Sequence, residues 1–401
     1  MTNGRTPARR HSAESLAQVL TGMRDRRTTR RQVLRGGVGV IGALTLAACG
    51  AGRGDADDAS PQASAVTAVH GYNDPQRWKD RDLVVTSWGG EYQRAQERAI
   101  FEPFQRLTGA TIRREFTDTQ QLREQVEDDS SEWDVCDVLQ EDVLSLANLG
   151  VITPIDSLTI DLGDLVQGAV QDFAVASSYS ATVMAARTDA WENGAVPQTW
   201  AEFWDAGRFP GLRGLQRRAE GTLEFALLSD GVATTDLYPL DVDRALARID
   251  ELWASVGLWW EQGAQPAQLL NASAIALTSV WNSRVERGVA DDAPVTTIWN
   301  GAAIDGDAWV IPRGARNADV ALDFIKFATR PEVCAAFCAS IPFGPVNRNA
   351  FDFLSDERGP ELPTWPQNLE RGFLVDHAWW FKHRERVQAE FDIWYADHPE
   401  P

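Results

Sequence analysis

The 401-residue chain is poor in cysteine (4), histidine (5), tyrosine (5) and methionine (3), and each shortage closes a class of function. Four cysteines, Cys49, Cys136, Cys334 and Cys338, cannot build the dense disulfide framework of a small secreted scaffold. The histidines, His11, His70, His377, His383 and His398, form no H-E-x-x-H pair, and the chain has neither a G-x-S-x-G elbow nor a Walker loop. No catalytic residue, resident metal or cofactor is therefore expected. Carboxylates are too abundant for any pair to stand out as an acid–base couple. Basic residues are outnumbered, 38 against 58, for a net charge of −20, a balance that repels nucleic acid and anionic lipid. Long apolar runs are missing too: no stretch approaches the ~20 residues of a membrane-spanning helix.

What charge there is lies unevenly. Residues 1–48 carry nine arginines against Glu14 and Asp25, which leaves 29 basic and 56 acidic residues in the remainder. Arg30-Arg31 precede a short apolar run, residues 36–48, that closes on Leu46-Ala47-Ala48-Cys49. A basic start, a short apolar region and small residues before a cleavage point make an export signal. The arginine pair resembles a twin-arginine signal, and the closing four residues resemble a lipobox. That resemblance implies removal of residues 1–48 and lipidation of Cys49 as the new N-terminus; two acyl chains anchor stably where one is marginal. Gly37, Gly39 and Gly42 match the dinucleotide fingerprint G-x-G-x-x-G, but they follow arginines rather than a strand and are not read as one. The other three cysteines then form an odd set. Cys334 and Cys338 are four apart on an expected helix, residues 331–340, and read as packing residues, with a bridge between them left open.

Residues 49–80 have the Ala, Asp, Gly, Ser and Gln composition of a flexible tether, and order is expected to begin at Leu83. Apolar runs at 83–88, 133–139, 181–186 and 275–281 read as strands, as does 110–116. Helical spacing appears at 92–108, 120–128, 140–150, 223–229, 241–256 and 318–328, and from Trp200. Strands alternating with helices at this spacing indicate parallel α/β layering.

Sixteen tryptophans are present, several beside polar residues at expected strand ends: Trp88-Gly89-Gly90-Glu91-Tyr92, Trp281-Asn282, Asp305-Gly306-Asp307-Ala308-Trp309 and Trp379-Trp380. Open α/β sheets bind ligands at the carboxyl ends of their strands. Aromatic faces with carboxylates there suit an organic ammonium, held by cation–π and charge-assisted contacts. Trp88 and Trp281 are read as site residues, and Trp253, Trp259 and Trp394 as core.

Leu83 to Tyr92 followed by Phe101-Glu102-Pro103-Phe104 through Gly109 is similar to the opening strand and helix of bacterial ABC-transporter extracellular solute-binding proteins of the spermidine/putrescine-binding group. Thr199-Trp200-Ala201-Glu202-Phe203-Trp204, Val280-Trp281-Asn282 and residues 311–332 resemble later segments of the same family, in the same order. The resemblance implies an α/β, periplasmic-binding-protein-like fold of two lobes with a hinge and an interlobe ligand cleft. Lobe 1 would be residues 81–186 and 301–344, and lobe 2 residues 187–300 and 345–401. Carried over, Trp88 and Tyr92 become aromatic walls with Glu91 nearby, Gln140 and Glu141 follow the third strand, Trp281 is a cage residue and Asp307 grips an amine. Arg218 and Gly221 stand where polyamine binders place acids, and Asp305 where the family often has tryptophan; Glu220 and Glu224 could compensate. These departures favour a shorter amine or amino-acid-like solute, whose carboxylate Arg284 could meet unless it makes a surface ion pair.

The chain is thus expected to be a monomeric, lipid-anchored receptor on the periplasmic or extracellular face of the membrane. It would deliver a small cationic or zwitterionic solute to an ABC permease, bind no nucleic acid and perform no chemistry. Alternatives are a thiamine binder, a ferric-iron binder (disfavoured because the five tyrosines are never adjacent) and a lipid-anchored hydrolase. Replacing Cys49→Ser should move the protein from the membrane to the soluble fraction; retention in membranes would refute the anchor.

Overall fold

The computed structural model describes residues 66–155, 160, 163–289 and 292–398; the export signal, the lipobox with Cys49 and the glycine motif at 37–42 lie outside the described residues. Strand β1 (Asp82–Ser87) is buried from Leu83 onward, because its apolar run serves both faces of a central strand. It is flanked in parallel by β2 (Thr111–Phe116) and β3 (Val135–Leu139). Gly89 and Gly90, with φ of 73° and 60°, turn the chain out of β1 into helix α1 (Gly90–Gln96) through angles other residues rarely adopt. A π turn, Glu97–Phe101, joins α1 to α2 (Glu102–Thr108). The single helix expected there is widened just before Pro103, which lacks the N–H that the Ala99 carbonyl would accept. Helices α3 (Thr119–Glu127) and α4 (Gln140–Asn148) complete the first half.

Two long strands join the halves. β4 (Val175–Arg187) runs antiparallel to a 16-residue strand near the end of the second half, Val295–Val310, which becomes β8. Between them in sequence lie α5 (Trp200–Trp204), β5 (Arg213–Gln216), α6 (Ala219–Ser229), α7 (Val242–Leu252), β6 (Val256–Trp260), α8 (Gln265–Asn271), β7 (Leu277–Trp281) and α9 (Asn282–Gly288). After β8 come α10 (Ala318–Ala328), α11 (Pro331–Cys338), α12 (Pro366–Arg371), the short β9 (Phe373–Leu374) beside β8, and α13 (His377–Ala396). The strand order is β2-β1-β3-β8-β4-β7-β5-β6.

The expected parallel layering holds within each half, but β8 is antiparallel to β3 and β4, and β4 to β7. The sheet is therefore mixed. The strand expected at 181–186 is the second half of a 13-residue one. The helix expected over 241–256 stops at Leu252, and the chain turns at Trp253–Ser255 into β6. Trp379-Trp380 lie in the first turn of α13, not at a strand end.

Two apolar cores flank the crossover. One gathers Leu122, Val126, Trp133, Val138 and Leu146 around the first three strands. The other gathers Trp200, Phe203, Leu223, Phe225 and Ile249, and α13 adds Trp380, Val387 and Phe391 to it. Trp253, Trp259 and Trp394 pack ring against ring at its edge, with centroids 5.4–6.0 Å apart, which bears out their reading as packing residues.

Order is present well before Leu83. Tyr72 is buried against Phe327, ring centroids 5.0 Å apart, and its hydroxyl donates to the Asp323 carbonyl. Asp323 also pairs with Arg77 at 2.7 Å and accepts from the Trp78 indole at 2.6 Å. The tether expected through residue 80 is thus, from Val66, a strap on α10. After Gly344 the chain also stays with the first half: the turn Arg348–Phe353 packs on α11, and Asn347 Nδ2 donates to the Thr329 carbonyl. Cys136, Cys334 and Cys338 are buried free thiols, so Cys334 and Cys338 are unbridged; burial pushes Cys334 up to about 12.

Arg213 is fully buried in β5, where its guanidinium donates to the carbonyls of Phe203, Gly211 and Phe209 at 2.6–2.7 Å. It fastens the α5–β5 connection to the sheet, and burial lowers its pKa to about 10. Arg213→Ala would strand the two buried acceptors of Phe203 and Phe209 and should cost about 3–5 kcal/mol, read as a lower urea midpoint at unchanged slope. A wild-type midpoint would show that the three bonds add nothing to stability.

Candidate functional site

Where β1 and β3 end against the middle of β4 and β8, polar side chains are buried together. Asp137 on β3 is fully buried and accepts from Gln96 Nε2 and Ser177 Oγ, each at 2.7 Å; Ser87 Oγ in turn donates to Gln96 Oε1 at 2.5 Å. Burial raises its carboxyl to about 7 against the pull of those donors. Asp307 on β8 is also buried, and Ser178 Oγ donates to it only from 3.5 Å. Burial, then the charges of Asp137 and Asp305, push Asp307 well above the usual carboxylate range. The Tyr92 hydroxyl meets Ser178 Oγ at 3.0 Å, and its ring packs edge-on against Phe337 and Phe343. Gln140 Nε2 donates to the Asp307 carbonyl at 3.4 Å. The buried Trp88 indole N–H lies near enough to Asp307 to lower its pKa, but it makes no well-formed hydrogen bond among the described residues. Neither Asp137 nor Asp307 has a cationic side chain paired with it among the described residues.

A second cluster abuts the first through Asp305, two residues along β8. Asp305 Oδ1 is 3.0 Å from His377 Nε2, at the start of α13. Its carboxyl is lowered because His377 and Arg218 outweigh its burial, while His377 is raised because Asp305, Glu220 and Glu141 outweigh its own. Arg218 precedes α6, where Glu220 and Gly221 break the first turn; Gly221 has φ 83°, a conformation that favours glycine. Arg218 bonds Glu141 at the start of α4 and Glu220 at 2.9 Å. Arg384 of α13 bonds the same two carboxylates, Glu141 at 2.8 Å and Glu220 at 2.6 Å. Burial raises Glu220 to about 7. These ion pairs run from α4 in the first half to α6 in the second.

Of the residues singled out in the sequence, Trp88, Tyr92, Gln140 and Asp307 come together in the first cluster, and Glu141, Glu220 and Asp305 in the second. Glu91 does not join them: it is 59% exposed and paired with Arg287 and Arg94, because the first turn of α1 points it to solvent while Tyr92 turns inward. Trp281 stacks edge-on against Trp260 at 5.7 Å, and no described hydrogen bond or ring contact ties it to either cluster. Glu224 is structural: it accepts from Gly221 N, the Tyr238 hydroxyl and the Trp380 indole at 2.7–2.8 Å, tying α6 to α13. Arg284 is exposed and makes no ion pair with a described residue. Sequence reasoning missed Asp137, Ser177, His377 and Arg384. An aspartate inside the apolar run Val135-Cys136-Asp137-Val138 was a usable signal; nothing local marks the two α13 residues.

Comparison with known proteins identifies the family. Residues 99–368 match the family model described as bacterial extracellular solute-binding protein. The chain is 34% identical over 326 residues to the γ-aminobutyric acid-binding protein of Pseudomonas aeruginosa, covering 79% of this chain and 92% of that one. A solved γ-aminobutyrate (GABA) receptor superposes with a TM-score of 0.71 at 32% identity, covering 80% of this chain and 99% of the other. The spermidine/putrescine-binding periplasmic protein of Escherichia coli is more distant, 23% identical over 197 residues, 49% of this chain and 56% of that one. With its two-lobed α/β fold and its polar clusters where the lobes meet, the chain belongs to the bacterial extracellular solute-binding proteins of ABC transporters, a family that binds solutes and catalyses no reaction.

Proposed function

We propose that this protein captures a small zwitterionic amine of the γ-aminobutyrate kind and delivers it to an ABC permease, tethered to the membrane as a monomer by lipid on Cys49. The observation that carries the reading is the pair of buried carboxylates, Asp137 and Asp307, that lack a cation while Arg218 and Arg384 lie beyond Asp305. An uncompensated buried charge is costly, and an incoming ammonium supplies the missing partner. Trp88 and Tyr92 wall the ammonium end, with Gln140 fixing the β8 backbone beneath it. Glu141, Glu220 and Asp305 line the other end, where the solute carboxylate meets guanidinium rather than the Arg284 considered from sequence. Two adjacent guanidiniums disfavour a long polyamine, which is cationic at both ends.

A thermal-shift panel of γ-aminobutyrate, other amino acids, putrescine, spermidine, thiamine and sugars tests this directly. A ligand at 100 times its dissociation constant adds about 2.7 kcal/mol of stability. γ-Aminobutyrate should raise the melting temperature, and Asp307→Asn should remove about 2–5 kcal/mol of its binding energy. A shift with thiamine or a sugar alone would overturn the zwitterion reading.

A pH prediction follows from the same carboxylates. Burial raises Asp137 and Glu220 to about 7, and Asp307 well above its ordinary range. The folded state therefore binds more protons than the unfolded chain from about pH 4 upward, and stability falls as pH rises through about 7. His377, raised by Asp305, acts in the same direction. The melting temperature of the solute-free protein should fall from pH 5 to pH 8, with a shallower slope in Asp137→Asn. A slope identical in that variant would mean Asp137 is not the titrating group.

A further inference from the structure

The C-terminal helix α13 has two attachments of different kinds. Its apolar face, through Trp380, Val387 and Phe391, belongs to the core of the second half. Its polar face delivers His377 and Arg384 to the ion cluster described above. That cluster has six members from four elements: Glu141 on α4, Arg218 and Glu220 at the start of α6, Asp305 on β8, and the two α13 residues. With His377 protonated, three carboxylates face three cations and the charges balance. Half of what balances Glu141 and Glu220 is Arg384, which bonds both. His377 uses Nε2 on Asp305, and its Nδ1 is buried without a hydrogen-bond partner among the described residues. A protonated imidazole donates from both nitrogens, so an acceptor is missing there.

We propose that Arg384 and His377 are specificity-determining residues that admit a solute carrying a carboxylate and refuse one that is cationic at both ends. A carboxylate entering the cluster supplies the acceptor that His377 Nδ1 lacks and shares the guanidinium of Arg384. The negative charge it brings is absorbed by Glu220, whose carboxyl, near 7, takes up a proton. An ammonium entering the same place meets two guanidiniums and an imidazolium and finds Glu141 and Glu220 already paired. Discrimination then comes from repulsion as well as attraction. Neither residue is visible as a site residue in the sequence, because α13 follows the sheet and reaches the cluster only through tertiary packing.

The inference rests on the zwitterion reading above and is tested separately from it. The full chain, its Arg384→Gln variant and its Arg384→Lys variant are titrated calorimetrically with γ-aminobutyrate and with putrescine. Loss of a charge-assisted hydrogen bond, about 1.5–3 kcal/mol, is a factor of about 10–100 in affinity. In Arg384→Gln, γ-aminobutyrate should weaken by that factor while putrescine tightens, because Glu141 and Glu220 are then short of a cation. Arg384→Lys should restore most of the original preference. His377→Gln should weaken γ-aminobutyrate and leave putrescine no weaker. If the unaltered chain binds neither compound, the reading of the site fails and this inference falls with it. If it binds and the ratio of the two affinities does not move in Arg384→Gln, only the selectivity role is overturned; a purely structural Arg384 would weaken both ligands together.

Discussion

Strands β4 and β8 lie side by side and antiparallel from Val175 beside Trp309 to Arg187 beside Val295, and this pairing decides where everything else can be. It is the route by which the sheet of the first half continues into that of the second. The register shifts between Ala176 and Ser178 and breaks more widely near its middle, where the advance from Thr182 to Met184 lies opposite that from Ala303 to Ile298 on β8. Such a bulge bends a strand and raises its twist. The polar residues of the site, Ser177 and Ser178 on β4 and Asp305 and Asp307 on β8, all fall just to the first-half side of that break. A protein that closes by rotating two lobes needs a crossover that flexes and a site whose walls come from both sides. Here one pair of strands supplies both.

Electrostatics in the cleft is arranged as two unequal solutions to the same problem. The arginine cluster buries carboxylates and pairs them at once, the arrangement that keeps such groups affordable in low dielectric. Asp137 and Asp307 are buried with neutral donors alone, so the protein holds them by raising their pKa instead. The first is charge-balanced as it stands, short only of an acceptor at His377 Nδ1; the second has no cation among the described residues. That asymmetry gives the cleft a direction, an acid end and a guanidinium end.

Much of this was legible before folding. Apolar runs marked β1 and β3, because buried parallel strands need side chains for both faces, and the aromatic–acid pairs at their ends marked Trp88, Tyr92 and Asp307. The full length of β8 was hidden by Asn300-Gly301 and Asp305-Gly306-Asp307, which read locally as turns but are a bulge and a cleft wall. β5 was hidden by Arg213 and Gly214; Arg213 is held by the nearby carbonyls of Phe203, Phe209 and Gly211, and Gly214 by its pairing with Thr278 on β7. Glu91 shows the converse: residue type and neighbours pointed to the cleft, and the direction of its side chain placed it in an exposed ion pair with Arg287. Arg384 and His377 depend wholly on how α13 docks, and no local pattern encodes that.

The strap at residues 66–81 has a mechanical meaning. The Val66 carbonyl accepts from Arg106 of α2, and Tyr72, Arg77 and Trp78 all converge on Asp323, so tension on the chain before Val66 enters the molecule at α2 and α10. That load passes into the core of the first half, where Phe324 of α10 packs edge-on against Trp309 of β8, ring centroids 5.5 Å apart. The N-terminal attachment is thus made to the first half, and a pull on it reaches the crossover only through that core.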